Sequence, residues 1–331
     1  MSPAARQVLT VPQALNGVLL QDFLARVLPD VDRARLRGIQ ARGGVRVNGM
    51  PATRNRRLAA FDHVELRAEP GDLAPRPKAA DAPIGVLYAS ATALVVDKPA
   101  GLTTVPDRSG TEGGVHARLH ELRPDGDLRI VHRLDRQTSG CLLLADGLAA
   151  AQHFDAAFRA HAVHKRYLAL VHGALARSEF AIDKWLGPDP RRPGRMKTAA
   201  TARKGYRAAR TRGEVAQALG DLTLLRLYPE TGRSHQLRAH LAAIGHPIVG
   251  DTDYGGRPLL LSEHKHGYKL RRGVAERPLL ARPFLHSEQI EFIDVDGTPV
   301  CVEAPLPEDL RTALLRLARL TSHGAARARR T

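Results

Sequence analysis

Leu15, Leu19, Leu20, Phe23, Leu24, Val27 and Leu28 recur at helical spacing, so an amphipathic helix is expected there. A second short helix is expected to start near Asp30 or Asp32, either of which can cap it, and to carry Arg33, Arg35 and Arg37. Gly38 and the Gly43-Gly44 pair break that pattern. Val45-Arg46-Val47 then alternates as a strand into Asn48-Gly49, a dipeptide that favours hairpin turns. Val64-Glu65-Leu66 closes as another strand. From Pro70 to Pro83 there is no apolar periodicity, and Pro and Ala dominate, which predicts a semi-rigid linker.

Beyond the linker the pattern changes. Ile84 to Tyr88 and Leu94 to Val96 read as strands, and an apolar run leads into a polar stretch from His132 that ends in a Thr138-Ser139-Gly140 turn. A second apolar run, Cys141 to Ala145, follows, so strand, tight turn and strand are expected. Leu148 to Phe158 has helical spacing. His164 to Gly173 and Leu222 to Leu227 read as strands, whereas Trp185 to Thr201 reads as a basic loop carrying Arg191, Arg192, Arg195 and Lys197. Leu285 to Ser287 with Ile290 to Phe292 predicts one more strand. A last amphipathic helix runs through Leu310, Ala313, Leu314 and Leu317, and a basic tail follows. The domain reading is therefore 1–69, a linker at 70–83, a main domain at 84–310 and a terminal helix and tail at 311–331.

Composition narrows the partner. The 331 residues are 43% hydrophobic, enough for a sizeable core, but 50 Lys+Arg stand against 34 Asp+Glu, a net charge of +16. Such a surplus points to a polyanion, and nucleic acid fits it better than a membrane surface. No apolar run approaches the ~20 residues of a spanning helix, and the first residues lack the apolar core of a signal peptide. A cytoplasmic, monomeric protein is expected. Residues 1–69 hold 11 Arg and 6 Asp+Glu, a net +5. Cys141 and Cys301 lie in apolar runs and read as small buried hydrophobes, not as a disulfide or a zinc site. His235 and His240, and the pair His264 and His266, have no Cys or carboxylate partners at ligand spacing, so no metal is expected.

The strongest chemical candidate is Asp135, between Arg133 and Arg136 at the predicted turn. A carboxylate there can face a cleft, and nearby positive charge favours its ionised form, ready to act as nucleophile or general base. Alone, such an aspartate more often caps its own turn.

The stretch HRLDRQTSG, His132 to Gly140, resembles the signature of the RluA-type pseudouridine synthases. Three further segments resemble that family in the same order: DKPAGL from Asp97, KRYLALVHG from Lys165 and TGRSHQLRAHL from Thr231. The resemblance implies an α+β catalytic domain built on a central mixed, mostly antiparallel sheet flanked by helices and loops. It also implies isomerisation of uridine to pseudouridine in RNA, with no cofactor. By resemblance Asp135 is the catalytic residue, Tyr167 stacks on the target base, and Arg238, with Arg233 as second choice, pairs with Asp135. Arg133 would fill the gap left by the flipped uridine. His132, Arg233, His235, Gln236 and His240 would face the RNA. Lys98 would meet a phosphate or pair with Asp97 at the surface. The helices and VRVNG turn of residues 1–69 resemble the small RNA-binding domain of ribosomal small-subunit protein four, an α/β module. Arg33, Arg35, Arg37, Arg42, Arg54 and Arg56 would contact RNA there, which leans the target towards large-subunit ribosomal RNA over tRNA. A catalytically silent RNA-binding protein and a carboxylate-pair glycoside hydrolase are the competing readings.

Overall fold

The computed structural model describes residues 5–28, 31, 33–68, 83–105, 114–265, 268, 276 and 278–328. Asp30, Asp32, His266, the linker up to residue 82 and the last three residues lie outside them, as do the side chains of Arg33, Arg35 and the tail from residue 321. The chain forms two compact units, Met1–Ala79 and Ala80–Thr331.

The first unit contains β1 (Ala5–Thr10), α1 (Leu20–Val27), α2 (Arg33–Ala41), β2 (Val45–Val47), β3 (Met50–Pro51) and β4 (His63–Ala68). Its sheet runs β1-β4-β2-β3, antiparallel throughout. Leu20, Phe23 and Leu24 of α1 and Leu36 and Ile39 of α2 pack on Val45, Val47, Val64 and Leu66, the inward positions of the strands. The first helix starts later than the apolar spacing suggests. Gly17 at φ +80° breaks the run, and Leu15 ends a separate 3-10 turn, Gln13–Leu15. Asn48 and Gly49 both have positive φ, 50° and 77°, as the tightest hairpin turn requires.

The second unit is built on an eleven-stranded sheet. In chain order its elements are β5 (Gly85–Ala89), β6 (Ala93–Lys98), α3 (Leu119–Leu122), β7 (Leu128–Ile130), β8 (Ser139–Asp146) and α4 (Leu148–Arg159). Then come β9 (His164–His172), β10 (Glu179–Pro188), β11 (Met196–Ala199), β12 (Arg207–Leu219), β13 (Leu222–Pro229) and α5 (Gln236–Ala243). They are followed by α6 (Leu261–His264), β14 (Leu285–Ile293), β15 (Pro299–Glu303) and α7 (Glu308–Ala328). The main path is β11-β10-β12-β13-β9-β14-β8-β6-β5, with β15 on β14 and β7 on β8. The β14–β8 contact is parallel and the other pairs are antiparallel.

Alternation along the central strands makes two cores. Leu142 and Leu144 of β8 and Leu94 and Val96 of β6 face one side, where Leu237 and Leu241 of α5 and Leu310 and Leu317 of α7 also pack. Cys141, Leu143 and Val95 face the other, covered by Ala150 and Phe154 of α4. Because both faces of β8 are covered, it is a nearly unbroken apolar run.

Two expectations change. Trp185 to Thr201 is largely the β10–β11 hairpin, with Arg191, Arg192 and Lys197 exposed and half-buried Arg195 paired with Asp253. Cys301 is exposed, not buried: among the described residues β15 pairs with β14 alone, and its alternation turns Pro299, Cys301 and Glu303 outward.

Candidate active site

Asp135 sits in the loop between β7 and β8, and that loop is held from behind at nearly every residue. The Thr104 hydroxyl donates to the Leu134 carbonyl at 3.0 Å and accepts the Leu134 N–H at 3.1 Å. Gly101 N–H donates to the Arg136 carbonyl at 2.6 Å, and Arg136 Nε donates back to the Gly101 carbonyl at 3.0 Å. Arg282 Nη1 donates to the Gln137 carbonyl at 3.2 Å while Asp309 of α7 holds its other nitrogens at 2.7 and 3.0 Å. Thr138 N–H closes the turn on the Asp135 carbonyl at 3.0 Å. The turn is therefore at Arg136-Gln137, and Ser139 already belongs to β8. At Gly140 (φ +108°) a Cβ would lie 2.1 Å from the Ser287 carbonyl of β14, so only glycine lets the two parallel strands meet.

Among the described residues, the cation within ion-pair distance of Asp135 is Arg238, Nη1 to Oδ2 3.7 Å, not either sequence neighbour. Arg238 projects from α5 and is itself fixed. Nε and Nη2 donate to the two oxygens of buried Asp251 at 2.7 and 2.8 Å, Nη2 reaches Asp253 at 3.2 Å, and the guanidinium lies 4.8 Å over the Tyr254 ring. Burial works against its charge, but the paired bonds from Asp251 outweigh that and raise its pKa, so it stays ionised. The Tyr254 hydroxyl accepts the Met196 N–H at 2.8 Å and lies 2.8 Å from His235 Nδ1, which ties the β10–β11 hairpin to this turn. Burial pushes the Tyr254 phenol up to about 12.

Asp135 and Arg238 line a cavity of about 610 Å³, the size of pocket that takes a small organic group. Tyr167 of β9 forms part of its wall and is 8% exposed, opposite Ser287 of β14 in the strand register. Burial raises its pKa, so the phenol is protonated at neutral pH. Arg133 is exposed on the rim, and Leu285 adds an apolar wall. The loop from Thr231 to His235 makes the opposite side. Gln236 locks it by accepting from the Thr231 hydroxyl at 2.7 Å and the Arg233 N–H at 3.0 Å. The cavity thus offers a carboxylate beside a fixed cation, an aromatic wall and an arginine rim, with Asp155 and Glu230 also on its lining.

Residues 92–243 match the model of the RNA pseudouridylate synthase family. The chain is 34% identical, over 97% of its length and 95% of the relative's, to "Ribosomal large subunit pseudouridine synthase D" of Xanthomonas campestris pv. campestris. It is 31% identical, over 94% and 96%, to "Ribosomal large subunit pseudouridine synthase C" of Vibrio vulnificus. The solved structure of Human RNA Pseudouridylate Synthase Domain Containing 1 shares 26% identity and superposes with a TM-score of 0.54, covering 72% of this chain and 90% of that one. The chain belongs to the RNA pseudouridylate synthase family.

It is an RNA uridine isomerase, and the residues expected at the synthase site divide into those the fold brings to the cavity and those it does not. Asp135, Tyr167, Arg238, Arg133, Arg233 and His235 line it. Lys98 does not: it is fully buried, so it meets neither a phosphate nor Asp97 at the surface. Its ammonium donates to the carbonyls of Pro99 and Leu102 at 3.0 and 2.8 Å and faces that of Arg136 at 3.5 Å, with its pKa lowered to about 7 by burial. His240 is also fully buried and cannot touch RNA. Its Nδ1 lies 3.0 Å from the Thr211 hydroxyl, and burial lowers its pKa to about 4. The Gln236 amide is spent on the protein, donating to the Arg210 carbonyl and Thr211 as well. His132 reaches the wall, but its Nε2 accepts the Leu143 N–H at 2.9 Å and its ring packs on Phe158, so it shapes the loop. In the first unit Arg37, Arg42, Arg54 and Arg56 are exposed.

Thr104, Asp251, Tyr254 and Arg282 had no role assigned from the sequence. The run Gly250-Asp251-Thr252-Asp253-Tyr254-Gly255 carried a usable signal, acids within one turn of two glycines. Arg282 carried none. Among the described residues no group of His, Cys, Asp and Glu is placed to hold a metal ion, and no helix is long and apolar enough to cross a membrane.

Proposed function

We propose that the chain isomerises specific uridines of large-subunit ribosomal RNA to pseudouridine, with Asp135 as its catalytic residue. The observation that carries this is Asp135 held 3.7 Å from buried Arg238 on the wall of a cavity that also presents Tyr167. The curated relatives named as ribosomal large-subunit synthases support the choice of RNA.

The reaction breaks the bond between uracil N1 and the ribose, turns the ring and joins C5 to the same ribose carbon. The C5 proton leaves and N1 gains one, so mass and oxidation state are unchanged. Asp135 opens it, by attack on the sugar or by removing a ribose proton, and both routes need the same ionised carboxylate. Arg238 keeps that carboxylate charged and aimed. Tyr167 gives the uracil a flat surface, and Arg133 on the rim occupies the space the flipped nucleotide vacates, offsetting an unstacking cost of a few kcal/mol. The arginines of the first unit add phosphate contacts.

Asp135→Asn tests the assignment, with carbodiimide labelling to detect pseudouridine and affinity measured on the same RNA. Turnover should vanish while affinity stays within a few-fold; activity within tenfold of wild type refutes it. Pseudouridine mapping in a deletion strain should show a missing site in large-subunit RNA, and a loss confined to tRNA overturns the target.

A further inference from the structure

A second cavity, of about 730 Å³, abuts the catalytic one, and the two share a wall that includes Lys165, Pro229, Glu230 and Thr231. Lys165 stands two residues before Tyr167 on β9, so both side chains leave the same face of the strand. Its ammonium lies 5.6 Å over the Phe158 ring, and Gly232 opposite leaves room, since a Cβ there would still be 3.7 Å from the nitrogen.

The charge pattern singles this lysine out. Among the described residues no carboxylate lies within ion-pair distance of Lys165. The other cations of the second cavity are answered: Arg166 by Glu288 and Glu303, Arg210 and Arg212 by Glu230. Its partial burial lowers the Lys165 pKa to about 8, as expected of a half-buried cation without a counter-charge. Such a group favours an anionic partner. In an RNA isomerase the anion at hand is a phosphodiester, and adjacent nucleotides share one. A uridine in the first cavity places its neighbour's base over the second, where the Tyr228 ring is held by a bond from its hydroxyl to Glu214.

We propose that the second cavity is a subsite for the nucleotide next to the target uridine, and that Lys165 binds the phosphate joining the two. This rests on the uridine-isomerising reading of the first cavity.

The test uses the full chain and unmodified large-subunit RNA transcript, comparing wild type, Lys165→Met, Lys165→Gln, Lys165→Arg and Tyr228→Ala. Both neutral variants should raise KM about tenfold or more, the loss of one charge-assisted contact. They should also reduce the logarithmic salt slope of binding by about 0.7 to 0.9, the contribution of one phosphate. Lys165→Arg should keep the slope. Tyr228→Ala should raise KM without changing the slope. Melting temperatures identify a variant that has merely lost its fold, and the neutral pair guards against that. An unmoved KM and slope in both neutral variants, beside an active wild type, overturns the subsite alone, as does a loss confined to kcat. A wild type that makes no pseudouridine in ribosomal or transfer RNA overturns both readings.

Discussion

Arg238 binds both the buried Asp251 and the site carboxylate Asp135, and one pair of variants separates those two roles. Arg238→Met leaves Asp251, 1% exposed, as a buried carboxylate that has lost a bidentate partner. Breaking a buried pair from one side costs about 3–5 kcal/mol. Adding Asp251→Asn replaces that stranded charge with a neutral amide, and the cost falls towards the ~1–3 kcal/mol of an unsatisfied polar group. The double variant should therefore be more stable than the single one by about 2 kcal/mol, or roughly 4–8 °C in melting temperature for a unit of this size. Activity should not follow. Across 3.7 Å the attraction between Arg238 and Asp135 is about 4 kcal/mol at an effective dielectric of 20, and both groups are mostly shielded from water. Losing it should lower kcat by at least about 10²-fold in both variants. Urea unfolding gives the first quantity and single-turnover carbodiimide labelling the second. A double variant that regains activity along with stability refutes a direct role at Asp135, and a single variant as stable as wild type refutes the buried-pair argument.

Three more outcomes follow from the fold. His240 titrates near 4 in the folded chain against 6.5 ordinarily, so the unfolded chain binds a proton first as pH falls. Its contribution is intact above pH 6.5 and is lost at about 1.4 kcal/mol per unit between there and pH 4; His240→Gln should flatten that part of the urea-stability profile, and an unchanged slope would contradict it. Gly140→Ala should abolish the native fold or lower the melting temperature by more than 10 °C, roughly the effect of a several-kcal/mol clash, because the new carbon meets backbone at 2.1 Å; a normal melt would show that β8 and β14 can part. Deleting residues 1–79 should weaken RNA binding and flatten its salt dependence, since exposed Arg37, Arg54 and Arg56 go with it, while turnover at saturating RNA persists. A fixed salt slope with a lower melting temperature would make that unit a structural cap instead.

Much of the site was legible because its chemistry lies in contiguous, ordered segments. His132 to Gly140, Lys165 to Gly173 and Thr231 to Leu241 each carry several uncommon residues at short range, and Asp135, Tyr167, Arg233 and Arg238 all reach one cavity. Strand β8 was equally plain as an apolar run covered on both faces, and β9 and β13 carried strand patterns as well. The β10–β11 hairpin was not: its exposed Arg and Lys positions resemble a loop when the cross-strand partner is unknown.

Amino-acid order by itself determined the basic character of the chain, the periodicity of its helices and central strands, and the polar stretch between strands that carries Asp135, whereas the turn itself lies at Arg136-Gln137 and not at Thr138 to Gly140. Only the tertiary structure decided which charges meet. Arg133 and Arg136 flank Asp135 within two residues, yet one faces outward and the other bonds the Gly101 carbonyl, while Arg238 arrives from a distant helix. Lys98 and His240 look like surface polar groups in their motifs, but the sheet and α5 enclose them, and each is held by protein atoms instead of solvent or RNA. Burial and charge pairing depend on which distant segments pack together, and no spacing along the chain encodes that directly.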